Sequence, residues 1–228
     1  YKPTDKMIDL IGDNYSLLQV MSRFGLSLGF GDKTVKEVCE MNNVDCQTFL
    51  VVVNFMAEGF SRMDGSADDI SIPALVDYLR QAHIYFLDYC LPAIRRKLIE
   101  AIDCSQDDVS FLILKFFDGY MREVRKHMEY EEKTVFKYVD TLIHGNAPKN
   151  YQISTFSKHH DQVGERLTEL KNIIIKYCPA KANTNVLNAA LFDIYACEEG
   201  LESHCKVEDY LFVPAILKLE RRMRENEK

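Results

Sequence analysis

The stretch 127–131, HMEYE, decides the fold together with its counterpart at 204–208, HCKVE. Each places a histidine four residues before a glutamate. Residues four apart lie on the same face of an α-helix, one turn apart, so each pair directs an imidazole and a carboxylate toward one point. Both pairs fall within apolar stripes spaced three and four residues apart. The two stretches therefore predict long helices with a polar pair on the buried face.

The same spacing extends outward from these stretches into four long helices. They are predicted over about 72–102, 106–143, 151–177 and 185–224. Because the connections between them are short, neighbours should run antiparallel as an up-down-up-down four-helix bundle. Pro92 and Pro214 lie inside the first and last of these helices, where we expect a kink or a break.

The first 60 residues show shorter helical signals. Asp13 or Asn14, Asp32 and Asp45 are candidate N-caps, and Gly25 is a candidate helix end. We interpret residues 1–62 as a small three-helix N-terminal domain, 63–71 as a polar linker, and 72–228 as the bundle. The predicted fold class is therefore all-α.

Two further histidines join the polar pairs. His83 lies on the apolar stripe of the first long helix and His160 on that of the third, whereas His159 is rotated by about 100° and should be solvated. His83 and His127 are each about 22 residues from the first inter-helix turn, and at about 1.5 Å per residue their heights agree. The resulting layer contains six candidate metal ligands: His83, His127, Glu131, His160, His204 and Glu208.

Two buried glutamates in one layer would repel each other unless a cation lies between them. Imidazole with carboxylate suits iron, manganese or zinc, and four histidines with two glutamates suit a pair of iron ions. A carboxylate-bridged pair would keep positions for an oxo bridge, water or a small ligand. A metal-free polar network is the alternative. We place Glu129 and Glu132 on outward faces.

Composition narrows the classes of function. The chain has 228 residues, 47% of them hydrophobic, and a net charge of −7, which argues against a nucleic-acid partner. No apolar run reaches the roughly 18 residues that span a bilayer, so we expect no membrane partner. The seven cysteines form no C-x-x-C pair and are interpreted as reduced, mostly buried thiols of a cytoplasmic protein.

Over nearly its whole length the chain resembles the hemerythrin-like di-iron proteins, and specifically the repair-of-iron-centres (RIC) family. The resemblance rests on one histidine, then H-x-x-x-E, then His160-Asp161, then H-x-x-x-E. It implies a non-haem di-iron centre held by the six candidate ligands, with both glutamates bridging. Residues 24–31, FGLSLGFG, and 34–39, TVKEVC, are similar to the family's small N-terminal domain.

One departure qualifies the resemblance to the RIC family, and two differences separate the chain from oxygen-carrying hemerythrins. Gly29-Phe30 stands where the family usually has Cys-Cys, so thiol chemistry of that pair does not carry over. Gly164 stands where oxygen-carrying hemerythrins have a further histidine. The last ligand motif of those proteins is H-x-x-x-x-D, whereas this chain has H-x-x-x-E at 204–208. Reversible oxygen transport is therefore not inferred.

The resemblance implies repair of iron–sulfur centres damaged by nitrosative or oxidative stress. The expected partners are O₂ or NO, damaged iron–sulfur proteins and a second copy of the chain. One alternative is an O₂ or NO sensor in which the N-terminal domain relays the state of the site. Another is an NO reductase or peroxidase, and whether the chain is an enzyme stays open.

Overall fold

The computed structural model describes residues 1–58, 70–102, 108–146, 151–158, 163–178 and 182–226. Within these ranges the ordered backbone is helical, and the β contact recorded there is an isolated bridge between Lys6 and Thr34. The all-α prediction is confirmed. No helix in the described ranges is long and apolar enough to cross a membrane.

Four short helices occupy the N-terminal region: α1 (Met7–Asp13), α2 (Leu17–Arg23), α3 (Val35–Met41) and α4 (Cys46–Glu58). The sequence analysis did not predict α1, because no side chain caps its N-terminus. Tertiary contacts hold it instead. The Met7 and Val35 N–H groups donate to the carbonyls of Lys33 and Asp5, and the side chains of Met7 and Leu10 are buried.

Local chemistry explains where the other N-terminal helices begin and end. Gly25, at φ +73°, ends α2, and the Gly25 and Leu26 N–H groups donate back to Ser22 and Met21, a Schellman arrangement. Asp45 accepts from the Thr48 N–H at 2.7 Å and caps α4 as predicted. The cap of α3 is Thr34 in a capping box with Glu37, and the expectation of Asp32 was wrong. A box satisfies two backbone donors at once.

The long helices are divided by turns of π-helix. The first comprises α5 (Ile72–Ile84), π1 (Tyr85–Cys90) and α6 (Leu91–Ala101). The second comprises α7 (Asp108–Tyr130), π2 (Glu131–Val135) and α8 (Phe136–Ile143). The third shows a 3₁₀ turn at Ile153–Lys158 and then α9 (Val163–Tyr177). The fourth comprises α10 (Thr184–Val207), π3 (Glu208–Phe212) and α11 (Val213–Asn226).

The two interior prolines coincide with two of these π turns. Pro92 follows the end of π1 by two residues, and Pro214 follows the end of π3 by two. Proline cannot donate to the carbonyl four residues earlier, and widening the preceding turn accommodates that missing bond. The expected kink or break takes the form of a change in winding. π2 has no proline, so its cause is different.

The chain forms two compact units. One contains residues 1–82, 139–154 and 206–228. In it the N-terminal helices pack on α5: the Phe24 and Tyr78 rings lie 4.9 Å apart, and Arg23 donates to the Tyr78 hydroxyl at 3.2 Å. The predicted 63–71 linker lies largely outside the described residues, and the 1–62 boundary stays a prediction.

The other unit contains residues 83–138 and 155–205. Ion pairs join its helices at their exposed edges: Arg95 on α6 contacts Asp118 on α7 at 2.6 and 3.1 Å, and Lys97 contacts Asp193 on α10 at 2.5 Å. Its core is apolar, with Phe117, Leu167 and Ile194 fully buried. Among its described residues, the buried polar side chains include His83, Glu131 and His204.

Candidate metal centre

Three helices bring His83, His127, Glu131 and His204 together inside the second unit. His83 is one residue before the end of α5, His127 is near the end of α7, Glu131 is the first residue of π2, and His204 is near the end of α10. His83, Glu131 and His204 are at most 3% exposed. Each of these three offers a ligand atom within 4.8 Å of the others.

Glu131 is the centre of this arrangement. Its Oε2 lies 2.8 Å from His83 Nε2 and 3.9 Å from His204 Nε2, and its Oε1 lies 2.7 Å from His127 Nε2. The two carboxylate oxygens thus face different imidazoles. One side of the carboxylate is shared by His83 and His204, and the other belongs to His127.

The charge state of Glu131 follows from these neighbours. Complete burial opposes its ionisation, but the close imidazoles of His127, His204 and His83 outweigh that effect and hold the pKa of Glu131 well below its usual range. A fully buried, ionised carboxylate is stable only when positive charge or a metal ion compensates it.

The donor set fits the binding of a metal cation. Two adjacent ligands of one octahedral ion, each at about 2.1 Å, lie about 3 Å apart. The 2.8 and 2.7 Å contacts of Glu131 match that separation, one on each oxygen. Among the described residues, the Glu131 oxygens accept no hydrogen bond of normal geometry. A carboxylate with imidazoles on both oxygens has the chemistry of a bridging ligand between two metal ions.

Glu208 follows His204 by one turn on the same continuous helix. It is the first residue of π3, and its side chain is fully buried. A residue four positions after another lies on the same helical face, so the Glu208 carboxylate is on the His204 face. His160 and His159 lie outside the described residues. The assignment of all six residues as metal ligands stays a prediction.

Glu132 was missed by the sequence analysis, which placed it on an outward face. Its side chain is 37% exposed, yet its Oε1 lies 2.9 Å from His83 Nδ1. A carboxylate on the far nitrogen of a ligating histidine fixes the tautomer and orients the ring. The sequence feature that could have indicated this role is Glu132 itself, a second glutamate directly after the H-x-x-x-E motif. The Glu129 side chain is 46% exposed and pairs with Lys133.

Aromatic rings pack against the buried histidines His83 and His204. The Phe136 ring stacks on His83 with centroids 5.5 Å apart, and Phe86 meets His204 edge-on at 6.1 Å. The His83 and His204 rings meet edge-on, with an interplanar angle of 68° and centroids 5.2 Å apart. A dry surrounding strengthens every electrostatic interaction of the site.

All three π turns lie next to these polar residues. π1 begins two residues after His83, π2 begins at Glu131, and π3 begins at Glu208. Such turns are rare and concentrate at functional sites, because they re-aim side chains at a cost in helix stability. In each of the three helices the winding therefore changes next to a candidate ligand of that same helix.

Comparison with protein families decides the identity of the bundle. The model of the hemerythrin HHE cation-binding domain matches residues 74–216, more than half of the chain. The chain belongs to this family. The hemerythrin match spans α5 through the start of α11, and it includes every predicted ligand and all three π turns. No curated protein matches the chain.

Proposed function

We propose that this hemerythrin-like protein is a non-haem di-iron protein of the RIC type that acts in repair of iron–sulfur centres damaged by nitrosative or oxidative stress. The observation that carries the proposal is Glu131, fully buried with an imidazole on each carboxylate oxygen. The membership of residues 74–216 in a cation-binding family supports it. The resemblance of residues 24–39 to the small domain of RIC proteins supports the finer assignment.

The proposed ligands divide between two iron ions. His83, His204 and Glu131 Oε2 would hold one ion and His127 and Glu131 Oε1 the other, with His160 completing the histidines and Glu208 as a second bridge. When bound, the iron pair supplies one-electron redox chemistry and open positions for O₂ or NO. The protein's own contribution is to orient His83 through Glu132 and to keep the layer dry with Phe86 and Phe136.

Metal analysis of protein produced in iron-supplemented cells tests the site. We expect about two iron ions per chain and near-ultraviolet charge-transfer bands after oxidation. His160→Ala should lower the iron content, whereas His159→Ala should leave it nearly unchanged, because adjacent residues of a helix differ by about 100°. Iron near zero, or a single zinc ion, contradicts the proposal, and equal losses in both variants contradict the assignment of His160.

A recovery assay tests the repair role. An iron–sulfur hydratase inactivated by NO is incubated with the iron-loaded protein, and recovery of hydratase activity is compared with that in the presence of Glu131→Gln. We expect hydratase activity to recover with the unaltered chain and not with the Glu131→Gln variant. Turnover of NO or peroxide without recovery would instead show a reductase or peroxidase. Ligand-dependent dimerisation without recovery would show a sensor.

A further inference from the structure

The compact unit that includes the N-terminal helices contains a cavity of about 440 Å³. Its lining comes from the end of α2, the connection between α3 and α4, and α5, and none of these described residues is a candidate metal ligand. Cavities of this size enclose small organic molecules. The cavity is therefore a candidate binding site that the proposed function does not use.

Arg23 gives this cavity a buried positive charge. It is the last residue of α2 and is only 5% exposed. Its guanidinium donates to the Tyr78 hydroxyl at 3.2 Å and to Gln19 Oε1 at 3.4 Å, and it lies 5.7 Å from the centre of the Tyr78 ring. A guanidinium stays protonated throughout the pH range in which proteins fold, and burial strengthens its attraction for an anion. An anionic group that enters the cavity is therefore attracted to Arg23.

Tyr78 supplies a hydrogen-bond donor beside that charge. The residue is 1% exposed, and its hydroxyl oxygen accepts the N–H of Arg23. The phenolic proton needs a different acceptor, and the structure shows none for it among the described residues. A buried donor without an acceptor costs free energy. An acceptor oxygen on a bound ligand would remove that cost, so Tyr78 and Arg23 together favour a ligand with an anionic oxygen.

The charged residues around the cavity limit the charge of such a ligand. They are two arginines and two aspartates, so their formal charges cancel. Asp45 accepts from the Thr48 N–H at 2.7 Å, and Asp77 lies 3.8 Å from Arg80 in an exposed pair. A dianion loses more hydration than a monoanion on entering, and a lining of zero net charge does not compensate that loss. A carboxylate therefore fits the cavity better than a phosphate.

The apolar part of the lining sets a requirement for the body of the ligand. The Phe24 ring packs on the Tyr78 ring with centroids 4.9 Å apart, and both residues line the cavity together with Val44 and Ala74. Aromatic and aliphatic surfaces of this kind bind the apolar groups of a ligand. One buried cation, one phenolic donor and an apolar wall together suit an organic acid.

We propose that this cavity binds a small organic monocarboxylate with an apolar or aromatic body, whose carboxylate contacts Arg23 and Tyr78. One carboxylate oxygen accepts the phenolic proton of Tyr78, and the negative charge lies against the Arg23 guanidinium, where hydrogen bonds between charged groups are strongest. The apolar body packs on Phe24. This inference goes beyond the proposed function and does not depend on iron.

The first test titrates the isotope-labelled full chain, prepared free of iron, with benzoate, phenylpropionate, indole acetate, the matching carboxamides and inorganic phosphate. The backbone N–H signals of Gly25, Asn43 and Gln81, which line the cavity, report binding by NMR. We expect the acids to bind at least about tenfold more tightly than the carboxamides and phosphate. Absence of binding by every acid, or equal binding of acids and carboxamides, overturns the proposal, and tighter binding of phosphate overturns the carboxylate assignment. A short peptide ending in phenylalanine is added as a further arm, and its binding more tightly than the free acids overturns the assignment to a small molecule.

Substitutions locate the bound acid. Arg23→Gln removes the buried charge and should weaken phenylpropionate binding at least about tenfold. Arg80→Gln is the matched control and should weaken it by less than about threefold, because solvent screens the charge of this 44% exposed side chain. Tyr78→Phe keeps the ring and should weaken binding about fivefold through the lost hydrogen bond, and it decides the matter if Arg23→Gln does not fold. Unchanged affinity in folded Tyr78→Phe and Arg23→Gln proteins, or an equal loss in Arg80→Gln and Arg23→Gln, overturns the proposed contacts.

Discussion

The N-terminal helices and the histidine–glutamate layer are built on opposite principles. In residues 1–58 most of the local rules hold: Thr34 forms a capping box, Asp45 caps α4, and most buried side chains are apolar, Phe49 among them. In the layer a carboxylate is fully buried, and three helices change their winding. A sequence breaks such rules where function requires it, so the contrast separates what stabilises the fold from what serves chemistry.

The largest effect should come from the centre of the layer. Glu131→Gln retains the shape of the side chain but removes the charge that can bridge two cations. We expect iron content to fall from about two per chain to below about one half, with helicity unchanged by circular dichroism. Glu129→Gln is the matched control, since Glu129 lies one half-turn away on an exposed face. Retention of both iron ions in Glu131→Gln would remove Glu131 from the site.

The converse experiment lies in the N-terminal helices. Phe49 on α4 is fully buried and meets the Phe24 ring edge-on at 5.4 Å. Phe49→Ala should lower the free energy of unfolding by about 3–5 kcal/mol, measured by urea denaturation. The folded fraction should keep its iron. Loss of iron from fully folded Phe49→Ala protein would show that the contrast between the two regions is wrong.

Substitutions of Glu132 test whether this partly exposed carboxylate contributes to metal binding through His83. Glu132→Gln keeps an oxygen that can accept from His83 Nδ1 but removes the charge, and Glu132→Ala removes both. We expect the alanine variant to bind iron about 10–100-fold more weakly and the glutamine variant to lie between it and the unaltered chain. Competition with a chelator measures the affinities. Equal iron affinities in all three proteins would show that the 2.9 Å contact between Glu132 Oε1 and His83 Nδ1 does not contribute to metal binding.

The smallest effect should come from a helix cap. Thr34→Ala removes the side chain that accepts from the Glu37 N–H and should cost about 1 kcal/mol of stability. Thr34→Ser should be nearly neutral, because it keeps the hydroxyl. Thermal unfolding of the metal-free protein compares the three. A change in the iron content of Thr34→Ala would show that the N-terminal helices contribute to metal binding, which contradicts the contrast between the two regions.

The all-α class, the bulk of the long helices and the pairing of histidine with glutamate could be predicted, because each depends on spacing along one helix. His127 and Glu131 lie four apart, and that interval puts them on one face whatever surrounds them. The end of α2 at Gly25 and the cap at Asp45 were predicted for the same reason: their chemistry is local.

What the sequence could not provide are contacts between residues far apart in the chain. The α1 helix depends on backbone bonds to residues near 33–35, and Glu132 becomes part of the layer through a histidine 49 positions earlier. The position of π2 could not be predicted, because no proline in the sequence marks it and its winding depends on packing. Periodicity along the chain determined which side chains share a face of one helix. Only the tertiary structure decided which faces meet, because contact between helices is set by packing and not by spacing.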